Sequence, residues 1–114
     1  MAFTDIELHK IKKLVGGLCQ KRSPEHLRDQ VRVEYKIHGH DVVLYEVRPR
    51  WDDPTQFLEA PIAKVKLVRS RKIWRLFWQR GDMKWHKYEP LDSSKNISDL
   101  VNEIDADPYG CFWG

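Results

Sequence analysis

The feature that most constrains this chain is a change of hydrophobic period. Near the amino terminus, apolar side chains recur at steps of three and four, at Leu8, Ile11, Val15 and Leu18, with Lys10, Lys12 and Lys13 off the stripe. That spacing puts one apolar face on a helix. From Gln30 the period drops to two, and Val31, Val33, Tyr35 and Ile37 alternate with Arg32, Glu34, Lys36 and His38. Successive side chains of a strand point to opposite faces, so this stretch reads as a half-buried strand. Strand-like segments continue as far as Tyr88, and helical spacing then returns at Ile97, Leu100, Val101 and Ile104. A helix, a run of strands and a second helix bury their apolar sides most simply as two layers. The pattern predicts an α+β domain in which about five antiparallel strands form a meander flanked by an N-terminal and a C-terminal helix.

Local signals divide the chain into these elements. Thr4-Asp5-Ile6-Glu7 has the form of a capping box, and Ser23-Pro24 ends the helix that Gly16-Gly17 already weakens. His38-Gly39-His40-Asp41 reads as a turn in which Gly39 supplies a positive φ. On the return strand Val43, Tyr45 and Val47 are expected to continue the apolar face, opposite Leu44, Glu46 and Arg48. Pro49 and Asp52-Asp53-Pro54 stop that strand and predict a loop of roughly ten residues. A third strand turns Ala63, Val65 and Leu67 inward and Lys64, Lys66 and Val68 outward. The fourth turns Trp74, Leu76 and Trp78 inward and Ile73, Arg75, Phe77 and Gln79 outward. Gly81-Asp82 reads as a two-residue hairpin turn into a fifth strand over residues 84–88. Asn96 is placed to cap the last helix and Asp107-Pro108 to stop it, while the apolar tail calls for Phe112 and Trp113 to dock.

Composition narrows the class. The chain has 114 residues, 41% of them hydrophobic, which suits a single domain over residues 1–114 with a modest core. Charged residues are frequent but mixed, and there is no low-complexity tract, so an ordered fold is expected. The apolar runs are short and the amino terminus lacks the apolar stretch of a signal peptide, which predicts a soluble, cytoplasmic protein. Cys19 and Cys111 lie far apart without CxxC or Cys/His ligand spacing, which argues against a disulfide scaffold or a structural zinc site. The turn with His38, His40 and Asp41 has no companion ligand cluster, so neither a metal nor a cofactor is expected.

Charge is distributed unevenly. Residues 1–59 carry ten basic and ten acidic side chains, residues 60–88 nine and one, and residues 89–114 one and six. Within residues 69–88 three tryptophans accompany seven Lys or Arg and a single acid, Asp82. The predicted open sheet face gathers Arg32, Lys36, Arg48, Lys64, Lys66, Arg75, Lys84 and His86, with Leu44, Phe77 and Tyr88 among them. Cations attract phosphate and aromatic faces stack unpaired bases. The reading is a non-enzymatic module that binds single-stranded nucleic acid or another polyanion through Lys64, Lys66, Arg75, Phe77, Lys84, His86 and Tyr88. A solvated antiparallel sheet displays the same composition without any ligand. Two other functions compete. Arg75, Lys84, His86 and Tyr88 on one face could supply the acid, base and phosphate stabilisers of a metal-independent ribonuclease. Alternatively the domain is a protein interaction module or homodimer, joined through a sheet edge or through Phe112 and Trp113. No membrane partner is expected, and the acidic end of the chain is free to lie against the basic strands or elsewhere.

Three stretches carry a family resemblance: YEVRPRWDDP at 45–54, WQRGDMKWHKYEP at 78–90 and DPYGCFWG at 107–114. With the amino-terminal helix and HLRDQ at 26–30, they make the chain similar over nearly its whole length to an uncharacterised bacterial family, domain of unknown function 3024. The resemblance implies one complete domain in a bacterial cytoplasm. It implies no activity, substrate or catalytic residue.

Overall fold

Thr4 starts the first helix. Its Oγ1 accepts from the Glu7 N–H at 3.2 Å while Glu7 Oε1 accepts from the Thr4 N–H at 2.8 Å, so the expected capping box forms. Helix α1 (Asp5–Lys21) then runs unbroken through Gly16-Gly17 in this computed structural model, which describes residues 3–27 and 30–113. Arg28 and Asp29 of the HLRDQ stretch, and Gly114 of the tail, lie outside the described residues. Ile11, Val15, Leu18 and Cys19 form the buried face of α1.

The strands follow as β1 (Arg32–His38), β2 (Asp41–Pro49), β3 (Phe57–Val68), β4 (Ile73–Gln79), β5 (Trp85–Lys87) and β6 (Ser93–Ser94), before helix α2 (Ile97–Ala106). They pair antiparallel in the order β1-β2-β3-β4-β5, and β6 also pairs with β4. β5 and β6 share one edge of β4, because the Leu76 carbonyl accepts from the Tyr88 N–H while the Leu76 N–H donates to the Asp92 carbonyl. The segment between them arches out as a 3-10 turn over Glu89–Leu91. The two-layer α+β expectation therefore holds, with a short sixth strand added.

Both helices lie on one sheet face. Ile11, Val15, Ile97, Leu100 and Ile104 pack with Val42, Leu44, Val65, Trp74 and Leu76 in one buried cluster. Phe3 stacks on Trp74 with ring centroids 5.8 Å apart. The helices are joined where Lys21 and Arg22 reach the Asp105 carboxylate at 2.5 and 3.1 Å. Asp107 ends α2 in the left-handed conformation, φ 42°, and its carboxylate accepts from the Phe112 and Trp113 N–H groups. Phe112 is buried, and the Trp113 indole donates to the Ile104 carbonyl at 2.7 Å beneath the Arg22 guanidinium. The expected docking of the tail occurs, which commits both aromatic residues to the protein's own core.

Several expected details change. The hairpin loop after β1 is Gly39–His40, so Tyr35 lies opposite Leu44 and Ile37 opposite Val42. Leu44, expected on the open face, is therefore on the helix face and fully buried. Val43, Tyr45 and Val47 point the other way. β3 begins at Phe57, earlier than the proline-containing sequence indicated, and Pro61 falls where the β2–β3 register shifts, a position at which a strand tolerates proline. That leaves a loop over residues 50–56, shorter than expected. Asn96 occupies the N-cap of α2 without a side-chain cap bond. Instead Ser94 Oγ accepts from the Asn96 N–H and donates to Asp99.

Candidate nucleic-acid interface

The sheet face away from the helices is built by register. Lys66 lies opposite Arg75, and Lys64 opposite Phe77, across β3 and β4. β5 adds Lys87 opposite Phe77 and Trp85 opposite Gln79. On the other side β2 contributes Val43 and Tyr45, and β1 contributes Arg32, Glu34 and Lys36. Val43 and Val47 are buried on this face too, flanked in register by Lys36 and Lys64 and by Arg32 and Glu59.

Cations and rings interleave here. Lys64 Nζ stands 4.8 Å from the centroid of Phe77 and 5.3 Å from that of Trp85. Lys36 lies 5.1 Å from the Tyr45 ring, and Arg32 4.9 Å from that of Phe57. The β1 side is internally neutralised, since Arg32 pairs with Glu34 at 2.8 Å and Lys36 with Glu59 at 2.6 Å. The β3–β4 side is not. Among the described residues no carboxylate forms an ion pair with Lys64, Lys66 or Arg75, nor with Arg71 and Lys72 at the adjoining turn. Directly opposed like charges destabilise an antiparallel pair, so Lys66 against Arg75 is a local cost that a bound anion would relieve. Asp41 faces Lys66 from β2, yet its Oδ1 is enclosed without a hydrogen-bond partner.

The acidic end of the chain does not neutralise this face. Asp105 is held by Lys21 and Arg22, Asp107 by the tail amides, Asp99 by Ser94, and Glu103 by the Tyr88 hydroxyl at 2.7 Å. All four act on the helix side. Asp92 alone approaches a cation of the open face, at 3.8 Å from Lys87.

Sequence reasoning placed Lys64, Lys66, Arg75 and Phe77 correctly together but misassigned the fifth strand. The β4–β5 connection is a loop over residues 80–84, not a two-residue turn at Gly81-Asp82. Asp82 shapes it by accepting from the Lys84 N–H at 3.0 Å and contacting His86 Nε2 at 2.9 Å, while Met83 takes the positive φ of 64°. Trp78 then faces His86. A slip of one residue inverts every side chain of a strand, so His86 and Tyr88 lie on the opposite face from Arg75, and Lys84 falls in the loop before β5. Tyr88 is fully buried, and burial with the Glu103 hydrogen bond raises its phenol well above the ordinary tyrosine range. His86 and Tyr88 instead line a separate cavity of about 410 Å³ with Trp78, Arg80 and Cys111. The ribonuclease group of Arg75, Lys84, His86 and Tyr88 does not converge. Arg48 likewise leaves the open face, paired in register with Leu58 and bonded to Glu46. Trp85 and Lys87, which sequence reasoning omitted, take the vacated places.

Among the described residues no three His, Cys, Asp or Glu side chains cluster to hold a metal ion, and no helix is long and apolar enough to cross a membrane. Cys19 and Cys111 are both free thiols. Burial and the nearby Glu34 push Cys19 up to about 11, and burial with Asp107 raises Cys111, so neither is an activated nucleophile.

The molecule is thus a two-layer α+β domain with one sheet face under helices and one open, basic and aromatic. The chain belongs to the family described as Domain of unknown function (DUF3024), whose match spans residues 3–114. Comparison with curated proteins and with solved structures returned no match.

Proposed function

We propose that this domain is a non-enzymatic binding module that engages single-stranded nucleic acid through its open sheet face. The observation that carries the reading is the set Lys64, Lys66 and Arg75, unpaired with any described carboxylate and set beside the rings of Phe77 and Trp85. Phosphates would be held by Lys66 and Arg75, whose mutual repulsion an anion relieves. Bases would stack on Phe77 and Trp85, each contributing on the order of 1 to 3 kcal/mol, as Lys64 swings from the rings to the backbone. The site residues are then Lys64, Lys66, Arg75 and Phe77 with Trp85 and Lys87. A reducing, cytoplasmic setting suits the two free cysteines.

Fluorescence anisotropy with short single-stranded RNA and DNA tests this at low and moderate salt, with gels checking the probes. The native protein binds in a salt-sensitive manner, Arg75→Glu/Phe77→Ala does not, and the probes stay intact. Failure to bind at low salt contradicts the proposal, and cleavage of the probes contradicts its non-enzymatic part.

A further inference from the structure

The far edge of the sheet offers a second surface. Among the described residues β1 pairs with β2 and with no other strand, which leaves its other side as a strand edge. Residues of an antiparallel strand alternate between those bonded to the neighbour and those whose N–H and C=O point away. Val33 fixes the phase. Its N–H donates to Ser23 Oγ at 2.7 Å, and its carbonyl accepts from the same hydroxyl at 3.3 Å. Both polar groups of Val33 thus point away from β2, and by alternation so do those of Tyr35 and Ile37. Ser23 stands at Val33 where a further strand would bond. None of the described hydrogen bonds outside the ladder reaches the Tyr35 or Ile37 backbone.

Alongside this edge a groove of about 720 Å³ runs between α1 and β1, lined by Lys12, Lys13, Gly16, Gly17, Val33 and Tyr35 among others. Glycine is a poor helix former, yet internal packing demands neither of these two. A Cβ on Gly17 would meet nothing within 4 Å, and one on Gly16 would make ordinary contact with the Tyr35 ring at 3.6 Å. Their missing side chains keep the groove open. Lys12 and Lys13 are exposed and belong to none of the described ion pairs, whereas Glu34, the one acid among the described lining residues, already pairs with Arg32.

We propose that the free edge of β1 docks an extended acidic segment of a partner protein as an additional strand. Its backbone pairs with the outward groups of Tyr35 and Ile37, its alternate carboxylates turn to the helix side and meet Lys12 and Lys13 along the groove, and the apolar side chains between them turn to the open face. A second copy of this chain fits less well, because pairing β1 with β1 so that both helix layers share one side would set its own Lys12 and Lys13 beside these lysines. The surface is separate from Lys64, Lys66 and Arg75, so either proposal stands without the other.

The test combines hydrogen exchange with a fluorescein-labelled peptide of alternating valine and glutamate, about eight residues long, and its lysine counterpart. In the free protein the Tyr35 and Ile37 amides exchange quickly while those of Glu34 and Lys36 are protected, and the glutamate peptide protects Tyr35 and Ile37. Ile37→Pro removes one outward N–H and leaves the β1–β2 ladder whole, which weakens the peptide at least about tenfold. Lys12→Glu/Lys13→Glu, an exposed change that spares the fold, weakens it comparably, and the lysine peptide does not bind. The proposal is overturned by absence of saturable binding of the glutamate peptide, or by binding without protection of Tyr35 and Ile37. Protection that grows with protein concentration alone also overturns it, by assigning the edge to a second copy.

Discussion

At the scale of single residues, Tyr88 and Cys19 make stability depend on alkaline pH. Burial raises Tyr88 above its ordinary 10.0, helped by the Glu103 hydrogen bond, and burial with Glu34 raises Cys19 from 9.0 to about 11. Both groups hold their protons more tightly when folded. The unfolded chain therefore deprotonates first, and the stabilisation, complete below the unfolded values, is lost as pH climbs through the folded ones. Urea midpoints should fall between about pH 8 and about pH 10.5, and Cys19→Ala should flatten the early part of that fall even if it lowers stability overall. An unchanged slope in the variant would remove Cys19 from the account. Sequence reading missed Tyr88 because a tyrosine among lysines looks amphipathic and solvent-facing. Its burial depends on a carboxylate in α2 that no local pattern links to it.

At the scale of elements, the legible parts were those with a local cause. The capping box, the glycine in the first hairpin, the phases of β3 and β4 and the docked tail each follow from a few adjacent residues. The phase of β2 was not legible, because Val42, Val43 and Leu44 are consecutive apolar residues that fit either face, and the structure buries all three. β5 went wrong through its loop. A two-residue turn at Gly81-Asp82 would set Phe77 against His86, whereas the loop over residues 80–84 sets Phe77 against Lys87. His86 and Tyr88 thereby moved to the other face, and Lys84 fell in the loop. The tail offers an element-level prediction. Asp107→Gly keeps the left-handed backbone that ends α2 but loses the carboxylate that holds two amides, so it should cost on the order of 1 to 2 kcal/mol and speed exchange of the Phe112 and Trp113 N–H groups. Unchanged exchange there would show that the Trp113 indole bond alone holds the tail.

At the scale of the molecule, the uneven charge of the sequence becomes a division of labour between faces. The acids of residues 89–114 are spent largely within the helix layer, on Lys21, Arg22, Ser94, Tyr88 and the tail amides. Lys64, Lys66 and Arg75 of β3 and β4 therefore form no ion pair with any described carboxylate. The β2–β3 connection adds an exposed Trp51 and Arg50, the latter held by both oxygens of Asp52. The measurement that tests the central claim most directly is the salt dependence of single-stranded RNA binding, compared among native protein, Lys66→Glu/Arg75→Glu and His86→Ala. With Lys64, Lys66 and Arg75 each meeting a phosphate, log affinity should fall against log salt with a slope of roughly −2. The double variant should lose binding, and His86→Ala, on the opposite face, should keep both affinity and slope. A double variant that binds as tightly as the native protein, or a loss confined to His86→Ala, would contradict the open-face account.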